Sequence, residues 1–281
     1  MEDKFLTLLH LALEEDLGDF GDITTDAIFS DEIAEGRIIS RQSGVLSGRE
    51  YCNRVFLKID KELELDWKVS DGELFSAEKE ILFFRGKIAS ILKAERLVLN
   101  FLGYLSGIAT QTYHFQNLLR PLGGTKILDT RKTLPGFRRL AKEAVVHGGG
   151  TNHRIGLYDM VMIKDNHVDG AGGITQAVKK VRGTYQDRFP IEVECRNLDQ
   201  VREALDLRVD IIMLDNMDLE TCRKALAMKS PECSTKFEAS GDMDENKLLD
   251  YGRLDLEYIS VGKITHSVKS CNFSLRVSSL V

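Results

Sequence analysis

Six short apolar runs in the second half of the chain constrain its fold more than any other feature. They are Lys126-Ile127-Leu128, Met160-Val161-Met162-Ile163, Ile191-Glu192-Val193, Ile211-Ile212-Met213-Leu214, Lys236-Phe237 and Tyr258-Ile259-Ser260. Helical segments separate most of them, as from Ile174 to Val181 and from Val201 to Leu207. Strands alternating with helices imply a parallel sheet, and runs buried on both faces suit a barrel. A full eight-unit barrel takes roughly 250 residues, more than remain here. The pattern therefore predicts an incomplete α/β barrel of six or seven parallel strands, with an open doubly wound sheet as the alternative.

The first part of the chain has another rhythm. Phe5, Leu8, Leu9, Ala12 and Leu13 recur at helical spacing, so an amphipathic helix is expected before the polar stop Glu14-Glu15-Asp16-Leu17-Gly18. From about Glu35 to Ala89 the pattern is one of strands, at Arg37-Ile38-Ile39-Ser40, Glu62-Leu63-Glu64-Leu65 and Ile81-Leu82-Phe83-Phe84, with Gly44, Gly48, Asp71-Gly72 and Gly86 as turns. A long helix is expected from Ser90 to Leu118, and Pro121 with Gly123-Gly124 marks its end. The expected division is a small α+β domain over residues 1–118 and the barrel domain over residues 119–271.

Composition bounds the function. At 281 residues and a net charge of −6, the chain is long enough for two modest domains and too acidic overall for nucleic acid to be an expected partner. Cys52, Cys195, Cys222, Cys233 and Cys271 are odd in number, scattered and free of any C-x-x-C spacing. That fits reduced thiols in a cytoplasm better than a disulfide frame or a zinc ribbon. The acidic start Met1-Glu2-Asp3-Lys4-Phe5 lacks a basic segment followed by an apolar run, so no leader peptide is expected. The longest stretch without formal charge, Leu97 to Leu119, holds Asn100, Gln111, His114, Gln116 and Asn117 and is too polar to cross a membrane.

The residues just past each apolar run carry the chemistry. Asp129-Thr130-Arg131-Lys132 comes after the first and Lys164-Asp165-Asn166-His167 after the second. The third ends in Glu194, the fourth in Asp215-Asn216, the fifth in Ser240-Gly241 and the sixth in Gly262. In a parallel barrel the C-terminal strand ends converge on one face, where such folds do chemistry. Cations gather there too: Arg131, Lys132, Arg138, Arg139, Lys142, Arg154 and Lys164 outnumber Asp129, Glu143 and Asp159 between residues 129 and 164. A substrate with several negative charges needs such a lining. Arg138, Arg139 and Lys142 fall in a helical stretch before Gly148 and read as a solvated face. Arg131, Lys132, Arg154 and Lys164, at strand ends or beside Gly148-Gly149-Gly150, read as functional.

Glu194 and Asp215 supply the opposite charge. Carboxylates facing a phosphate site hold Mg²⁺, directly or through water, or ribose hydroxyls, and a structural ion pair is the plain alternative. Ser240-Gly241 and Gly262 offer backbone N–H groups to a phosphate. His147, His153 and His167 match no zinc spacing, and His153 reads as a hydrogen-bond donor beside Arg154. Hydrolase, Walker A and dinucleotide-binding motifs do not occur.

Taken together, these segments resemble a known family. Leu128-Asp129-Thr130-Arg131-Lys132-Thr133-Leu134-Pro135-Gly136, Gly148-Gly149-Gly150-Thr151-Asn152-His153-Arg154 and Lys164-Asp165-Asn166-His167 are similar to segments of the quinolinate phosphoribosyltransferases. So are Ile191-Glu192-Val193-Glu194, Ile212-Met213-Leu214-Asp215-Asn216, Glu238-Ala239-Ser240-Gly241 and Ile259-Ser260-Val261-Gly262, with Glu15-Asp16-Leu17-Gly18 and Gly21-Asp22-Ile23-Thr24-Thr25 near the start. The resemblance runs in order over nearly the whole chain.

The resemblance implies an N-terminal α/β sandwich domain, an incomplete α/β barrel and a tail, residues 272–281, that returns to the sandwich. It implies transfer of phosphoribosyl from phosphoribosyl pyrophosphate to quinolinate with decarboxylation, giving nicotinate mononucleotide, CO₂ and pyrophosphate for NAD biosynthesis. Mg²⁺ is the implied cofactor, held by Glu194 and Asp215. The implied assembly is a homodimer with shared active sites, in some members a hexamer, with Arg96 reaching the neighbour's site. Arg96, Arg131, His153 and Arg154 carry over as the quinolinate set. Lys132, Lys164, Glu194, Asp215, Ser240, Gly241 and Gly262 carry over as the phosphoribosyl pyrophosphate set, with Lys132, Lys164, Glu194 and Asp215 as the catalytic groups. Asp242-Met243, Lys263 and Cys195-Arg196 depart from the family's usual pattern, and Lys263 is a candidate counter-charge to Asp242. The competing readings are a phosphoribosyltransferase that takes nicotinate without decarboxylation and a silent metabolite-binding homologue.

Overall fold

The computed structural model describes residues 4–280. Met1, Glu2 and Asp3, read above for the absence of a leader, and Val281 at the end of the tail lie outside the described residues. The chain divides into two compact units. The first comprises residues 1–111, 135–149 and 268–281, and the second residues 112–134 and 150–267. No helix among the described residues is long and apolar enough to cross a membrane.

The chain begins with α1 (Lys4–Leu17), α2 (Ile23–Ile28), β1 (Ile33–Ser40), β2 (Gly44–Val45), α3 (Arg49–Ile59), β3 (Glu64–Trp67), β4 (Leu74–Phe75), β5 (Glu80–Lys87) and α4 (Ile88–Leu119). Asp22 starts α2 by accepting from the backbone N–H of Thr25 at 3.0 Å, as an N-cap does. Helix α3 lies in the stretch that the glycine turns had suggested was all strand. Its buried residues, Tyr51, Cys52, Val55 and Phe56, recur at helical spacing, a signal that Gly44 and Gly48 on its approach obscure.

The rest of the chain forms β6 (Lys126–Leu128), α5 (Arg138–His147), β7 (Val161–Ile163), α6 (Asp165–Ala171), α7 (Ile174–Tyr185), β8 (Ile191–Cys195), α8 (Leu198–Asp206), β9 (Ile211–Asp215), α9 (Leu219–Leu226), β10 (Lys236–Ser240), α10 (Glu245–Tyr251), β11 (Tyr258–Ser260), α11 (Lys263–His266) and β12 (Phe273–Leu280).

In the first unit the main sheet is antiparallel, in the order β12-β1-β5-β3. The tail reaches it by crossing α4 where that helix has no side chains: a Cβ on Gly103 would stand 2.8 Å from the carbonyl oxygen of Cys271, and one on Gly107 2.5 Å from that of Lys269. The expected boundary at residue 118 is replaced by one at Gln111/Thr112, inside α4. Residues 135–149, expected with the barrel, belong to the first unit. Phe137 stacks on Phe101 at 5.7 Å, Glu143 accepts from the Tyr51 hydroxyl, and His147 Nδ1 meets Ser47 Oγ at 2.9 Å. Lys142, read as solvated, is only 2% exposed, whereas the Arg139 side chain is 78% exposed, as expected of a solvated face.

In the second unit six parallel strands run in the order β6-β11-β10-β9-β8-β7. The first strand in the chain pairs with the last, so the sheet curls into a barrel left open between β6 and β7. The chain at Thr151 lies along that free edge of β6: Thr151 N–H donates to Ile127 O at 2.8 Å, and Asp129 N–H to Thr151 O at 3.3 Å. Ile127, Val193, Ile212, Phe237 and Ile259 form the fully buried centre of the strands, each contributing about 1.5–3 kcal/mol by burial. Asn197, Asp218 and Asp244 cap α8, α9 and α10 with side-chain oxygens, which fixes the loops leaving the strand ends.

Candidate active site

Alternate residues of a strand share a face, and this places two layers of side chains in the barrel. The lower layer is Glu192 on β8, Met213 on β9, Glu238 on β10 and Ser260 on β11, none more than 6% exposed. Two residues further along each strand come Glu194, Asp215, Ser240 and Gly262, all partly exposed. Those four are the residues predicted from the strand ends; Asp215 pairs with Ser240, while Glu194 pairs with Met213, one step back along β9.

Lys164 follows β7, where Ile163 pairs with Val193 of β8. Its Nζ therefore stands beside Glu194, 2.5 Å from Oε2. His167 fixes the first turn of α6 by accepting the Lys164 backbone N–H through Nδ1 at 2.9 Å. Lys132 follows β6; its carbonyl accepts from Thr265 Oγ1 at 2.9 Å, and its Cδ would lie 3.3 Å from a Cβ on Gly262. Glycine at 262 thus lets the lysine stem lie against the backbone. Gly241 is also dictated by its neighbours: its φ is +127°, and a Cβ there would stand 2.4 Å from Asn216 Oδ1. Asn216 in turn donates through Nδ2 to Asp215 Oδ2 at 3.1 Å.

The segment along the open edge of β6 delivers His153 and Arg154. The backbone N–H of His153 donates to the buried Asp129 Oδ1 at 2.9 Å. Its Nδ1 accepts the Arg154 backbone N–H at 2.7 Å, and its Nε2 lies 2.9 Å from Glu192 Oε2 and 3.6 Å from Glu238 Oε2. The ring, expected as a hydrogen-bond donor beside Arg154, accepts that residue's backbone N–H through Nδ1 and turns Nε2, its donor nitrogen, into the barrel. Arg154 donates to Met160 O at 3.2 Å and reaches Met162 Sδ at 3.6 Å. Burial, then the like charge of Arg131, holds its guanidinium below the usual value. Arg131 Nε is buried with no hydrogen-bond partner.

Glu192 and Glu238 were not singled out from the sequence. Burial pushes both carboxyls up to about 8, and for Glu238 the neighbouring Glu192 adds to the rise. The available signal was a glutamate two residues before a predicted site residue in an otherwise apolar strand. With His153 they form a group whose ligand-type atoms lie within 4.8 Å of one another. Glu194 and Asp215 belong to no such group of three among the described residues.

Lys263 does not counter Asp242: its Nζ lies 5.7 Å from the Phe115 ring centroid, and its charge helps to lower Asp244. The Asp242 carbonyl instead accepts from Lys247 Nζ at 3.2 Å. Arg96 is exposed on α4 in the first unit, while the other ten predicted residues all belong to the second. At Cys195-Arg196, Cys195 is buried, which pushes its thiol up to about 12, and Arg196 pairs with Asp169 at 3.4 Å.

Comparison with known proteins bears on the family and the fold. Residues 22–106 match the family model "Quinolinate phosphoribosyl transferase, N-terminal domain", and residues 108–276 match the corresponding C-terminal domain. A chloroplastic nicotinate-nucleotide pyrophosphorylase [carboxylating] of Oryza sativa subsp. japonica is 40% identical over 97% of this chain and 77% of that protein. A probable nicotinate-nucleotide pyrophosphorylase [carboxylating] of Bacillus subtilis is 39% identical over 96% of this chain and 92% of that protein. The solved nicotinate-nucleotide pyrophosphorylase of Francisella tularensis superposes with a TM-score of 0.93 at 38% identity, covering 98% of this chain and 96% of that one.

Proposed function

The chain belongs to the quinolinate phosphoribosyl transferase family, and from that premise we propose that it transfers the phosphoribosyl group of phosphoribosyl pyrophosphate to the ring nitrogen of quinolinate. The products are nicotinate mononucleotide, CO₂ and pyrophosphate, the entry of the pyridine ring into NAD biosynthesis. One observation carries the reading for this chain: Arg131 and Arg154 stand close enough for one to depress the other, and Arg131 Nε is buried without a partner. Two guanidiniums held together against their repulsion suit a dianionic ligand, because each carboxylate neutralises one cation and accepts two parallel hydrogen bonds.

In this reading Arg131, Arg154 and the wall at His153 bind quinolinate, with Arg96 entering from a second copy of the chain in a homodimer. Lys132, Lys164, Ser240, Gly241 and Gly262 bind the phosphate groups, and Glu194 and Asp215 face the ribose. Glu194 and Asp215 end neighbouring strands and offer hard oxygen donors, so together with substrate phosphates they fit Mg²⁺, which keeps several waters and takes one or two carboxylates. When bound there, Mg²⁺ supplies charge neutralisation for the departing pyrophosphate. The five unpaired cysteines suit a cytoplasmic protein.

The protein's own part is positioning and fixed electrostatics. The basic lining holds the pyridine nitrogen against C1 of the ribose. Bond making to nitrogen and bond breaking to pyrophosphate give an oxocarbenium-like centre, which Glu194 and Asp215 stabilise. The pyridinium so formed draws electrons from the neighbouring carboxylate carbon; the C–C bond breaks, CO₂ leaves, and the ring carbon takes a proton. Lys132, Lys164 or water supplies it. Replacing quinolinate by nicotinate tests the reading: turnover with quinolinate alone supports it, and equal turnover of nicotinate contradicts it.

A further inference from the structure

We infer that Glu192 and Glu238 are positioning residues for the quinolinate site: the two buried carboxyls hold the His153 ring, and through it the backbone that carries Arg154. The inference rests on the proposed reaction and adds two residues to it. Both carboxyls are 0% exposed and come two residues before Glu194 and Ser240 on β8 and β10, so a substrate at the strand ends does not touch them. Their burial is costly. Both oxygens of Glu192 and Oε2 of Glu238 lack a well-formed hydrogen bond, and an unsatisfied buried polar group destabilises the fold. An apolar side chain stands at the neighbouring position on β9, Met213, and well-packed apolar replacements of buried ionisable groups are often neutral or stabilising. The polar pair is explained by what it holds.

Each nitrogen of the His153 ring has a close polar neighbour. Its Nδ1 accepts the Arg154 amide, so the ring proton sits on Nε2. Nε2 faces Glu192 at 2.9 Å and Glu238 at 3.6 Å. Glu238 is itself held by the Ser260 hydroxyl, and the His153 backbone by Asp129. Apart from the bridge at Thr151, residues 150–160 have no regular secondary structure, so these side-chain contacts set where Arg154 starts. A misplaced catalytic or binding group loses activity steeply with small displacements.

The test is steady-state kinetics of the full-length Glu192→Met and Glu238→Met variants, with folding checked by thermal melting. We expect the quinolinate KM to rise at least tenfold while the phosphoribosyl pyrophosphate KM stays within twofold. Glu192→Gln, which keeps an acceptor of the same shape, recovers at least half of the lost quinolinate affinity. In a His153→Ala background, Glu192→Met changes the quinolinate KM by less than twofold, because its effect passes through the ring. If Glu192→Met does not fold, Glu238→Met carries the same comparison. Equal rises in both KM values, fully multiplicative effects in the double variant, or one equivalent of a transition metal on the purified wild type would each overturn the assignment. A wild type that binds quinolinate by calorimetry without turning it over would instead count against the proposed reaction, and the variants' quinolinate binding would still decide the positioning role.

Discussion

Lys164 Nζ and Glu194 Oε2 lie 2.5 Å apart because Ile163 and Val193, the residues before them, pair across β7 and β8. The pair sits at the barrel mouth, with the lysine side chain 44% exposed and the glutamate 11%. A half-solvated ion pair contributes little to stability, about 1 kcal/mol or less; under the proposed reaction its importance is to hold a cation where pyrophosphate departs. Lys164→Met should lower kcat by about 100-fold, the scale of removing one fixed stabiliser of developing negative charge, while shifting the melting temperature by only a few degrees.

Arg131→Ala and Arg154→Ala should each reduce kcat/KM for quinolinate by about 100-fold or more, a few kcal/mol, the scale of removing one partner of a buried charge pair. Steady-state kinetics with varied quinolinate checks this. Near wild-type values for both would rule out the assignment of the carboxylate-binding residues.

Gly241→Ala should destabilise the protein and weaken phosphoribosyl pyrophosphate binding together. The added Cβ would stand 2.4 Å from Asn216 Oδ1 and 3.0 Å from its Cα, at a φ of +127°. Such backbone strain costs about 1–3 kcal/mol. Gly170→Ala is the control: its Cβ meets nothing within 4 Å and it lies inside α6, so it should be neutral or slightly stabilising. Thermal melts of the two variants check the contrast.

Glu238 makes stability depend on pH. Its carboxyl is raised from 4.5 to about 8 in the folded state, chiefly by burial. Between those values the folded protein holds a proton that the unfolded chain has released. This contribution to stability is therefore complete below about pH 4.5 and is lost as pH rises through about 8. Denaturation at pH 6 and pH 9 should show the protein a few kcal/mol less stable at the higher pH, and Glu238→Gln should flatten the slope.

The sequence made the barrel legible because each strand is a short apolar run ending in a residue with a chemical reason to be there. Lys126–Leu128 and Tyr258–Ser260 were read to the residue, and the mouth residues came with them. Glu192 and Glu238 were missed because attention to strand ends passes over the layer beneath, although period-two spacing from Glu194 and Ser240 points to them. Lys142 looked solvated since local sequence cannot reveal that Phe137 packs on Phe101 and carries α5 into the first unit. Helix α3 was hidden by the glycines before it. Arg96 has no local signal at all, and only the family resemblance singles it out.

In the proposed reaction, phosphoribosyl transfer and decarboxylation occur on one substrate in one site. The most direct measurement supplies purified protein with phosphoribosyl pyrophosphate, Mg²⁺ and quinolinate labelled in its 2-carboxylate, and tracks nicotinate mononucleotide and labelled CO₂ together. Both should be released in equal amounts at equal rates. Mononucleotide formation without CO₂, or no product from a protein that still binds quinolinate, would contradict the proposed reaction.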